Sequence, residues 1–331
     1  MPISKIDISI IIVNYKGWIH LRNCLKSLGG IHSDTFNFEV IVIDNCSNDG
    51  QLAQFILDFN GVNFYKNTGN NGFANACNLG ADKAKGNFFL FLNPDTIANT
   101  KALEVLLETA IKYPDYGILS CQQYKENNKR HNHEKLFLAP SRMFGLFRVF
   151  HKLFNANKLK ERFDISKEII FPDWVSGSVI FITRDWFNKV NGFCNDYWMY
   201  YEDVDLCKKV TNAGGKIALL RTASIIHYHG GSTRINYKTK ALTKSEVIIS
   251  RHVYVNKYFK GFTRFFMQLV LITHQIISKL ILGIFGMILF FIPKFKVNRF
   301  LAENVFKYYY EAINNKTWLS IRSTNIKIIK K

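Results

Sequence analysis

The sequence predicts an α/β fold in which a mostly parallel central sheet is flanked by helices. Short, almost wholly apolar runs recur at positions 8–13, 38–43 and 88–92, and turn-forming residues bound each of them. Between these runs the apolar residues follow the helical period. Strands that alternate with helices indicate βαβ units. The chain has 331 residues, of which 48% are hydrophobic, so it can bury a sizeable core.

The first third of the chain predicts strand–helix units in order. The run at 8–13 is too short for a signal peptide, and we interpret it as the first core strand. Leu21, Leu25 and Leu28 mark the buried side of a helix that ends at Gly29-Gly30. The next predicted elements are a strand at 38–43, a helix from the turn at 47–50 to about residue 59, a short strand at 62–65 and a helix through Ala84.

The run Phe88–Leu92 is wholly apolar and ends in Asn93-Pro94-Asp95. A short apolar run bounded by turn residues predicts a strand that is buried on both faces. Proline cannot donate a ladder hydrogen bond, so the strand should stop near Asn93. This places Asp95 just past the carboxyl end of a central strand, where open α/β sheets bind ligands. Asp95 is therefore a candidate ligand for a divalent cation, or else it begins a helix over 101–112.

The middle of the chain is less regular. Residues 120–170 are interpreted as an irregular excursion that covers the acceptor side of a site, because the hydrophobic period weakens there. A second core section follows. It contains a strand at 175–183 with Gly177 inside it, a helix at 184–190, a helix from Glu202 to about residue 212, and short strands at 217–220 and 223–226.

The formal charge of +19 is concentrated at one end of the chain. Residues 251–331 contain 14 Lys and Arg against 2 Asp and Glu. Such an excess suits an anionic membrane surface or nucleic acid. The six cysteines include no Cys-x-x-Cys pair, which argues against a zinc site or a disulfide scaffold and favours a reducing compartment.

Two acidic residues end two predicted strands, Asp44 and Asp95. The carboxyl ends of parallel strands lie along one edge of a sheet, so these carboxylates should share that edge. A carboxylate after an early strand can accept from a pyrimidine imide or from ribose hydroxyls, and a later one can hold a metal on a diphosphate. The alternative for Asp44 is an Asx turn, which Asp-Asn forms readily.

Three other stretches carry polar groups in suggestive positions. The Asn/Gly-rich loop at 67–72 precedes a helix, where backbone N–H groups can approach an anion, although it lacks the Walker A pattern and has the composition of an ordinary turn. Three carboxylates lie within Glu202–Asp205 beside aromatic residues.

Crowding and burial raise the pKa values of carboxylates and can produce a general base. The alternative is that these three residues only begin a helix, whose dipole favours acidic residues at its N-terminus. His227 and His229 follow the last predicted strand and suit a metal shell or a structural role.

Seven motifs, considered together, resemble a known family. They include Val42-Ile-Asp44-Asn45, Leu92-Asn-Pro-Asp95-Thr96 and Tyr201-Glu202-Asp203. The set occupies positions 9–15, 42–49, 67–75, 92–96, 174–178, 201–205 and 227–232. In this order the motifs resemble the family 2 glycosyltransferases of the GT-A fold, and within them the bacterial rhamnosyltransferase-type enzymes of polysaccharide assembly. The resemblance does not reach residues 250–331.

The resemblance implies a role for individual residues. Asp203 matches the catalytic base of an inverting enzyme, and Asp95 matches the last position of the family's Asp-x-Asp motif, in which Asn93 stands at the first position. Asp95 and His227 would hold Mg²⁺ or Mn²⁺. The implied donor-binding residues are Val13, Asn14, Tyr15, Asp44, Asn45, Asn71, Gly72, Asn75, Asn93 and Pro94. The implied substrate-binding residues are Trp174, Ser176, Gly177, Glu202 and Asp205.

The resemblance also implies substrates. The donor would be an NDP-sugar, with dTDP-rhamnose expected, and the acceptor a saccharide, expected to be lipid-linked, at the cytoplasmic face of a bacterial inner membrane. No nucleic-acid partner is expected. From the residues alone two other functions stay open: a nucleotidyltransferase with the same metal site, or a non-enzymatic basic protein that binds lipid or nucleic acid.

The C-terminal region, taken as residues 236–331 after a catalytic domain at 1–235, is predicted to be helical. The stretch 265–292 is strongly apolar and is flanked by lysine and arginine, but Gln268, His274, Gln275 and Lys279 interrupt it. Its longest uninterrupted apolar run, 280–292, suits an interfacial or re-entrant helix better than a membrane span. The alternative is a helical hairpin that packs on the catalytic domain or on a second copy in a homodimer.

Overall fold

A computed structural model describes residues 6–131, 135–143, 145–228, 236–289 and 291–329. The chain divides into two compact units, which are described separately. The first comprises residues up to 194 together with 203–231, and the second comprises 195–202 and 232–331. Residues 195–202 therefore group with the C-terminal region, although the sequence interpretation assigned them to the catalytic domain. His229 and the Gly-Gly-Ser that follows it lie outside the described residues.

The first unit is an α/β structure that contains the predicted strand–helix units of the first third of the chain together with elements that the sequence did not predict. Its strands are β1 (Ile8–Asn14), β2 (Phe38–Asp44), β3 (Asn63–Lys66), β4 (Phe88–Leu92), β5 (Thr96–Ile97), β6 (Ile118–Tyr124), β7 (Ile169–Ile170), β8 (Val179–Thr183) and β9 (Ile217–His227). Its helices are α1 (Trp18–Gly29), α2 (Gln51–Asp58), α3 (Phe73–Lys83), α4 (Thr100–Lys112), α5 (Gly145–Phe154), α6 (Ala156–Arg162), α7 (Arg184–Lys189) and α8 (Glu202–Asn212), the last starting at the boundary residue Glu202.

The strands form one sheet in the order β3-β2-β1-β4-β8-β6-β9-β5, with β7 paired to β9. Strands β3, β2, β1 and β4 are parallel, as the alternating pattern predicts. Beyond β4 the sheet is mixed, because β8 runs antiparallel to both β4 and β6. This arrangement confirms the α/β fold class.

Strand β4 shows why the core has two sides. Leu90 and Leu92 point into the cluster formed with α1 and α4. Phe89 and Phe91 point into the opposite cluster, formed with α3, α7 and α8. All four side chains are at most 1% exposed. Side chains alternate across a strand, so a strand covered by helices on both faces has to be apolar throughout, as predicted.

Four local expectations were wrong. Residues 120–124 belong to a largely buried strand and residues 145–154 and 156–162 to helices, so these parts of the segment 120–170 are regular. The two short strands at 217–226 are one long strand, β9, with an irregular register opposite β6. Gly177 precedes β8 instead of lying inside it. Asp95 does not begin α4, because the Asn99 side chain caps that helix by accepting from Ala102 N–H.

The second unit is helical, with α9 (Tyr237–Tyr258), α10 (Gly261–Ile288), α11 (Pro293–Asn314) and α12 (Thr324–Ile329). Helices α9 and α11 share an apolar core built around Ile249, Val305 and Tyr308. Gly286 lets α10 approach α11 closely, because a Cβ at that position would meet the carbonyl oxygen of Phe295 at 2.6 Å. Helix α10 is long and apolar enough to cross a membrane, and only 22% of its most apolar window is buried in the protein.

Candidate active site

The candidate site lies at the carboxyl edge of the parallel strands. Asn14 and Asp44 are partners in the β1–β2 register, and both are buried. The Asp44 carboxylate accepts from the backbone N–H and the hydroxyl of Ser47. The side chain thus organises the turn after β2 through a residue three positions on, and its carboxyl group is buried at the strand end.

Asn14 carries a donor that the protein leaves unsatisfied. Its Oδ1 accepts from Gly17 N–H at 3.1 Å. Its Nδ2 is buried and has no hydrogen-bond partner among the described residues. A buried polar atom without a partner is costly, so an oxygen of a bound molecule would stabilise this position. This observation fits a ligand at the end of β1.

An asparagine network ties the 67–72 loop to the ends of β2 and β3. The Asn67 amide donates to Oδ1 of Asn45 and to Oδ1 of Asn75, each at 3.0 Å. Asn45 in turn donates to Asn70 Oδ1 and to the carbonyl of Gly72. Gly72 has φ +93°, a conformation that favours glycine, and it begins α3. The loop therefore delivers the first turn of α3 to the same edge.

A chain of polar contacts joins β4, β6, β8 and β9 at this edge. Thr96 and His227 are partners in the β5–β9 register, which brings Asp95 Oδ1 within 3.1 Å of His227 Nε2. His227 Nδ1 lies 2.9 Å from Gln123 Oε1, which also accepts from the Ser178 hydroxyl at 2.9 Å. Gln123 Oε1 is an acceptor, so a proton on His227 Nδ1 would complete this hydrogen bond, and Nε2 is the ring nitrogen that faces Asp95.

Asp95 and His227 fit the requirements of a divalent cation. A carboxylate oxygen and an imidazole nitrogen converge at 3.1 Å, and the other ring nitrogen is fixed by Gln123, as in many ligating histidines. Within the described part of the chain, no group of three or more His, Cys, Asp and Glu converges to hold a metal. Two protein ligands suit a cation such as Mg²⁺, which binds few carboxylates and completes its shell with substrate phosphates and water.

Asp203, at the start of α8, is held by backbone donors. Its Oδ2 accepts from Gly177 N–H at 2.9 Å and its Oδ1 from Val204 N–H at 2.8 Å. Burial raises the pKa of this carboxyl, while the two backbone hydrogen bonds and the charge of Lys135 lower it in part. A carboxylate with a raised pKa is a stronger base, so Asp203 is suited to general-base catalysis.

The residues around Asp203 form one wall of the site. The indole of Trp174 donates to Leu136 O at 3.2 Å and packs beneath the Lys135 ammonium, which lies 5.1 Å from the ring centroid. The Ser176 hydroxyl accepts from Ser178 N–H. The segment before α5 thus contacts Trp174 through Lys135 and Leu136.

Several of the other site candidates have structural contacts of their own. Asp205 is fully buried, 4.0 Å from the Lys209 ammonium, so its carboxylate faces the protein interior. Glu202 is 6% exposed. Asn71 donates to Asn67 and Thr68 within the loop. The remaining donor-side candidates lie at the strand ends near Asn14 or Asp95; they are Val13, Tyr15, Asn93 and Pro94.

Sequence reasoning did not single out four residues of this edge. Asn67 and Ser178 lie within recognised motifs but were given no role of their own, and Gln123 and Lys135 lie outside every motif. Gln123 lies on β6 and Ser178 directly precedes β8, and a polar side chain that is at most 3% exposed needs a partner. Strand β6 also contains Ser120 and Gln122, so no apolar pattern in the sequence marks Gln123 as buried.

Comparison with known proteins gives one family match. Residues 9–200 match the model of glycosyl transferase family 2. Rhamnosyltransferase WbbL of Escherichia coli is 29% identical over 235 residues, which cover 66% of this chain and 82% of WbbL. The N-acetylglucosaminyl-diphospho-decaprenol L-rhamnosyltransferase of Mycobacterium tuberculosis is 24% identical over 240 residues, covering 68% and 76%. The family match favours a glycosyltransferase over the other two functions considered above.

Solved structures share the fold. The mannosyltransferase PcManGT of Pyrobaculum calidifontis, in complex with GDP-Man and Mn²⁺, aligns with a TM-score of 0.53 and 15% identity over 80% of this chain and 68% of that one. GalNAc-T7 with UDP, GalNAc and Mn²⁺ aligns with a TM-score of 0.52 and 16% identity; the alignment covers 74% of this chain and about half, 48%, of GalNAc-T7. These likenesses confirm the GT-A fold.

Proposed function

Since the chain belongs to glycosyltransferase family 2, we propose that it transfers a sugar from a nucleoside diphosphate to a saccharide hydroxyl with inversion at the anomeric carbon. The observation that carries this proposal is the presence of two separate polar sites in one unit. Asp203, the proposed base, is held beside Gly177, and the pair Asp95 and His227 lies at the ends of β4 and β9. Transfer to a hydroxyl needs both a proton acceptor and a site for the leaving diphosphate.

Asp203 would take the proton of the acceptor hydroxyl as its oxygen forms a bond to the anomeric carbon. The bond from that carbon to the diphosphate oxygen breaks, and the nucleoside diphosphate leaves with its electron pair. Attack from the face opposite the leaving group inverts the centre. Backbone donors from Gly177 and Val204 fix the Asp203 carboxylate, so its orientation is set before the acceptor binds.

Asp95 and His227 would hold a divalent cation, which supplies positive charge beside the leaving diphosphate. Gln123 would keep the His227 ring in place. Asp44 and the free Nδ2 of Asn14 would contact the nucleoside, since both are buried at neighbouring strand ends. The loop at 67–72 would bring the start of α3 toward the donor, where helix N-terminal N–H groups favour an anion.

For the substrates we propose dTDP-rhamnose as donor and a lipid-linked saccharide as acceptor. The names of the Escherichia coli and Mycobacterium tuberculosis relatives support rhamnose, and the second name specifies an acceptor on diphospho-decaprenol. A lipid-linked acceptor places the enzyme at the cytoplasmic face of a bacterial inner membrane. The exposed apolar helix α10 and the basic C-terminal region support contact with an anionic membrane.

The first test is nucleotide binding by the full chain. Binding of dTDP, UDP and GDP is measured by calorimetry with and without Mn²⁺, for the parent, Asp95→Ala and the control Asp82→Asn, which changes an exposed carboxylate on α3. We expect one pyrimidine diphosphate to bind in a way that needs both Mn²⁺ and Asp95, with the control unchanged. Binding that does not depend on Asp95 would contradict the assigned metal site.

The second test separates binding from chemistry. Release of nucleoside diphosphate is compared between the parent and Asp203→Asn. Removing a general base lowers the rate by about 10²–10⁴-fold, and we expect diphosphate binding to stay at the parent value. Equal rates for the two proteins would refute the assignment of Asp203 as the base.

A further inference from the structure

Helix α5 has no buried side chain, although it is the most clearly amphipathic helix of the first unit. Leu146, Phe150 and Leu153 are spaced at intervals of three and four residues and so share one side of the helix. They are 67%, 48% and 67% exposed. Phe154, at the end of the same side, is 85% exposed. An apolar face of this size on a charged protein marks an interaction site.

The opposite side and the flanks of α5 are basic. Arg148 and Lys152 lie on the polar side of the helix. Arg142 precedes α5, and Lys158 and Lys160 follow it on α6. The sequence from residue 142 to residue 160 contains no aspartate or glutamate. Basic residues beside an apolar face are the pattern of helices that lie in the plane of an anionic bilayer.

We propose that α5 is a lipid-binding element of the catalytic unit, which lies flat in the headgroup region of an anionic bilayer. The apolar side would enter the acyl boundary, and Arg148, Lys152 and the flanking cations would contact lipid phosphates. This site is separate from α10 and goes beyond the proposed function, because it requires neither a sugar donor nor an acceptor.

Charge favours lipid over a second copy of the chain. Two copies that joined through α5 would bring two sets of cations together with no acidic residue from 142 to 160 to balance them. A bilayer that contains phosphatidylglycerol offers both an apolar layer and negative charge. The exposed apolar side of α5 and the cations at 142–160 therefore both favour an anionic bilayer.

Helix α5 is tied to the acceptor side of the candidate site. The Arg142 guanidinium donates to Phe137 O at 2.6 Å and lies 3.5 Å from His151 of α5. Phe137 N–H donates to the Asp173 carboxylate at 2.7 Å, next to Trp174 in sequence. A bilayer bound at α5 would thus lie next to the segment that borders Asp203.

The test uses vesicles that contain phosphatidylglycerol and the full chain, so that α10 is present in every sample. Vesicle co-sedimentation is compared for the parent, a triple variant and a matched control. The triple variant is Leu146→Ser, Phe150→Ser and Leu153→Ser. The control is Ile19→Ser, Leu57→Ser and Ile111→Ser, which removes three equally exposed apolar side chains from α1, α2 and α4. We expect at least tenfold weaker partitioning for the triple variant only.

Hydrogen exchange on the parent gives a second readout that does not depend on a variant. Amides 145–154 should exchange at least tenfold more slowly when vesicles are added, and those of α2 should not change. Partitioning of the triple variant at the parent level, together with unchanged exchange at 145–154, would overturn the proposal. So would a dimer in lipid-free solution that the triple variant converts to monomer, because α5 would then bind a second copy.

Discussion

The position of Gln123 links the proposed metal ligand to the core of the sheet. Its Oε1 accepts from the Ser178 hydroxyl and lies 2.9 Å from His227 Nδ1, so one oxygen holds the orientation of the histidine ring. Partners of this kind are worth about 10–100-fold in metal affinity. The sequence interpretation named His227 and Asp95 but could not name Gln123, because this contact depends on the pairing of β6 with β9.

Replacing Gln123 tests this positioning role. We expect Gln123→Leu to weaken Mn²⁺ binding to the nucleotide complex by about 10–100-fold, because His227 loses the acceptor that orients it. Gln123→Glu keeps an acceptor oxygen and should retain most of the affinity. Manganese titration followed by electron paramagnetic resonance measures both. A leucine variant with the parent's affinity would show that His227 does not need this contact.

The pKa of Asp203 predicts the acidic limb of the pH–rate profile. Burial raises this pKa, and a base must be deprotonated to act, so kcat/KM should rise with pH through a value above the ordinary aspartate range. The charge of Lys135 lowers the pKa. We therefore expect Lys135→Gln to move the limb to higher pH, by about one unit or less, and Lys135→Arg to leave it in place. A limb that moves to lower pH in Lys135→Gln would contradict this assignment.

At the scale of elements, the parallel half of the sheet could be predicted and the mixed half could not. Strands β1, β2 and β4 carry apolar runs because helices cover both of their faces, and such runs are visible in sequence. The two-residue strands β5 and β7 are held by pairing with β9 and have too few residues to form a pattern. Strand β9 contains Arg221 and Thr222 in its middle, which divided it into two in the sequence interpretation.

Helix α9 of the second unit buries two ionisable groups with opposite pKa shifts. Burial raises the pKa of Glu246 from 4.5 to about 7, although Arg322 and Ser320 lower it in part. Burial lowers the pKa of His252 from 6.5 to about 4, partly offset by its hydrogen bond to Gln268. The His252 ring also stacks on Trp318 with centroids 4.9 Å apart and contacts Tyr309 OH at 3.0 Å.

These two shifts have opposite effects on stability. The folded chain keeps the Glu246 proton that the unfolded chain releases, so this group's stabilising contribution is lost as pH rises from 4.5 to about 7. The unfolded chain takes up a His252 proton that the folded chain refuses, so stability is lost as pH falls from 6.5 to about 4. Between pH 4.5 and 6.5 the two groups change the free energy of unfolding with pH by equal and opposite amounts, so their pH dependences cancel.

Removing either group should reveal how the other one makes the free energy of unfolding depend on pH. Relative to the parent, Glu246→Gln should gain stability as pH rises from 4.5 to 6.5, and His252→Gln should lose it, each by roughly 1.4 kcal/mol per pH unit. Urea unfolding followed by tryptophan fluorescence measures the free energy of unfolding at each pH. Variant profiles that run parallel to the parent's would show that neither group titrates as its burial indicates.

At the scale of the whole molecule, the family match and the charge describe different parts of the chain. The family model ends at residue 200, and the cationic excess lies in 251–331. A basic C-terminal region alone is compatible with nucleic acid, which is why the sequence left that function open. Helix α10 also exposes apolar residues, among them Phe265, Leu269 and Ile277. Burying these side chains requires an apolar layer, which a membrane offers and nucleic acid does not.

Salt should therefore separate the two contributions to membrane binding. Surface charges act over a Debye length of about 10 Å at 0.1 M salt and about 3 Å at 1 M. We expect affinity for vesicles containing phosphatidylglycerol to fall steeply between these concentrations and then level off, because burial of apolar side chains does not depend on screening. Neutral phosphatidylcholine vesicles should show the salt-independent part alone. Complete release from both vesicle types at 1 M salt would mean that α10 stays out of the bilayer and that charge alone brings the protein to the membrane.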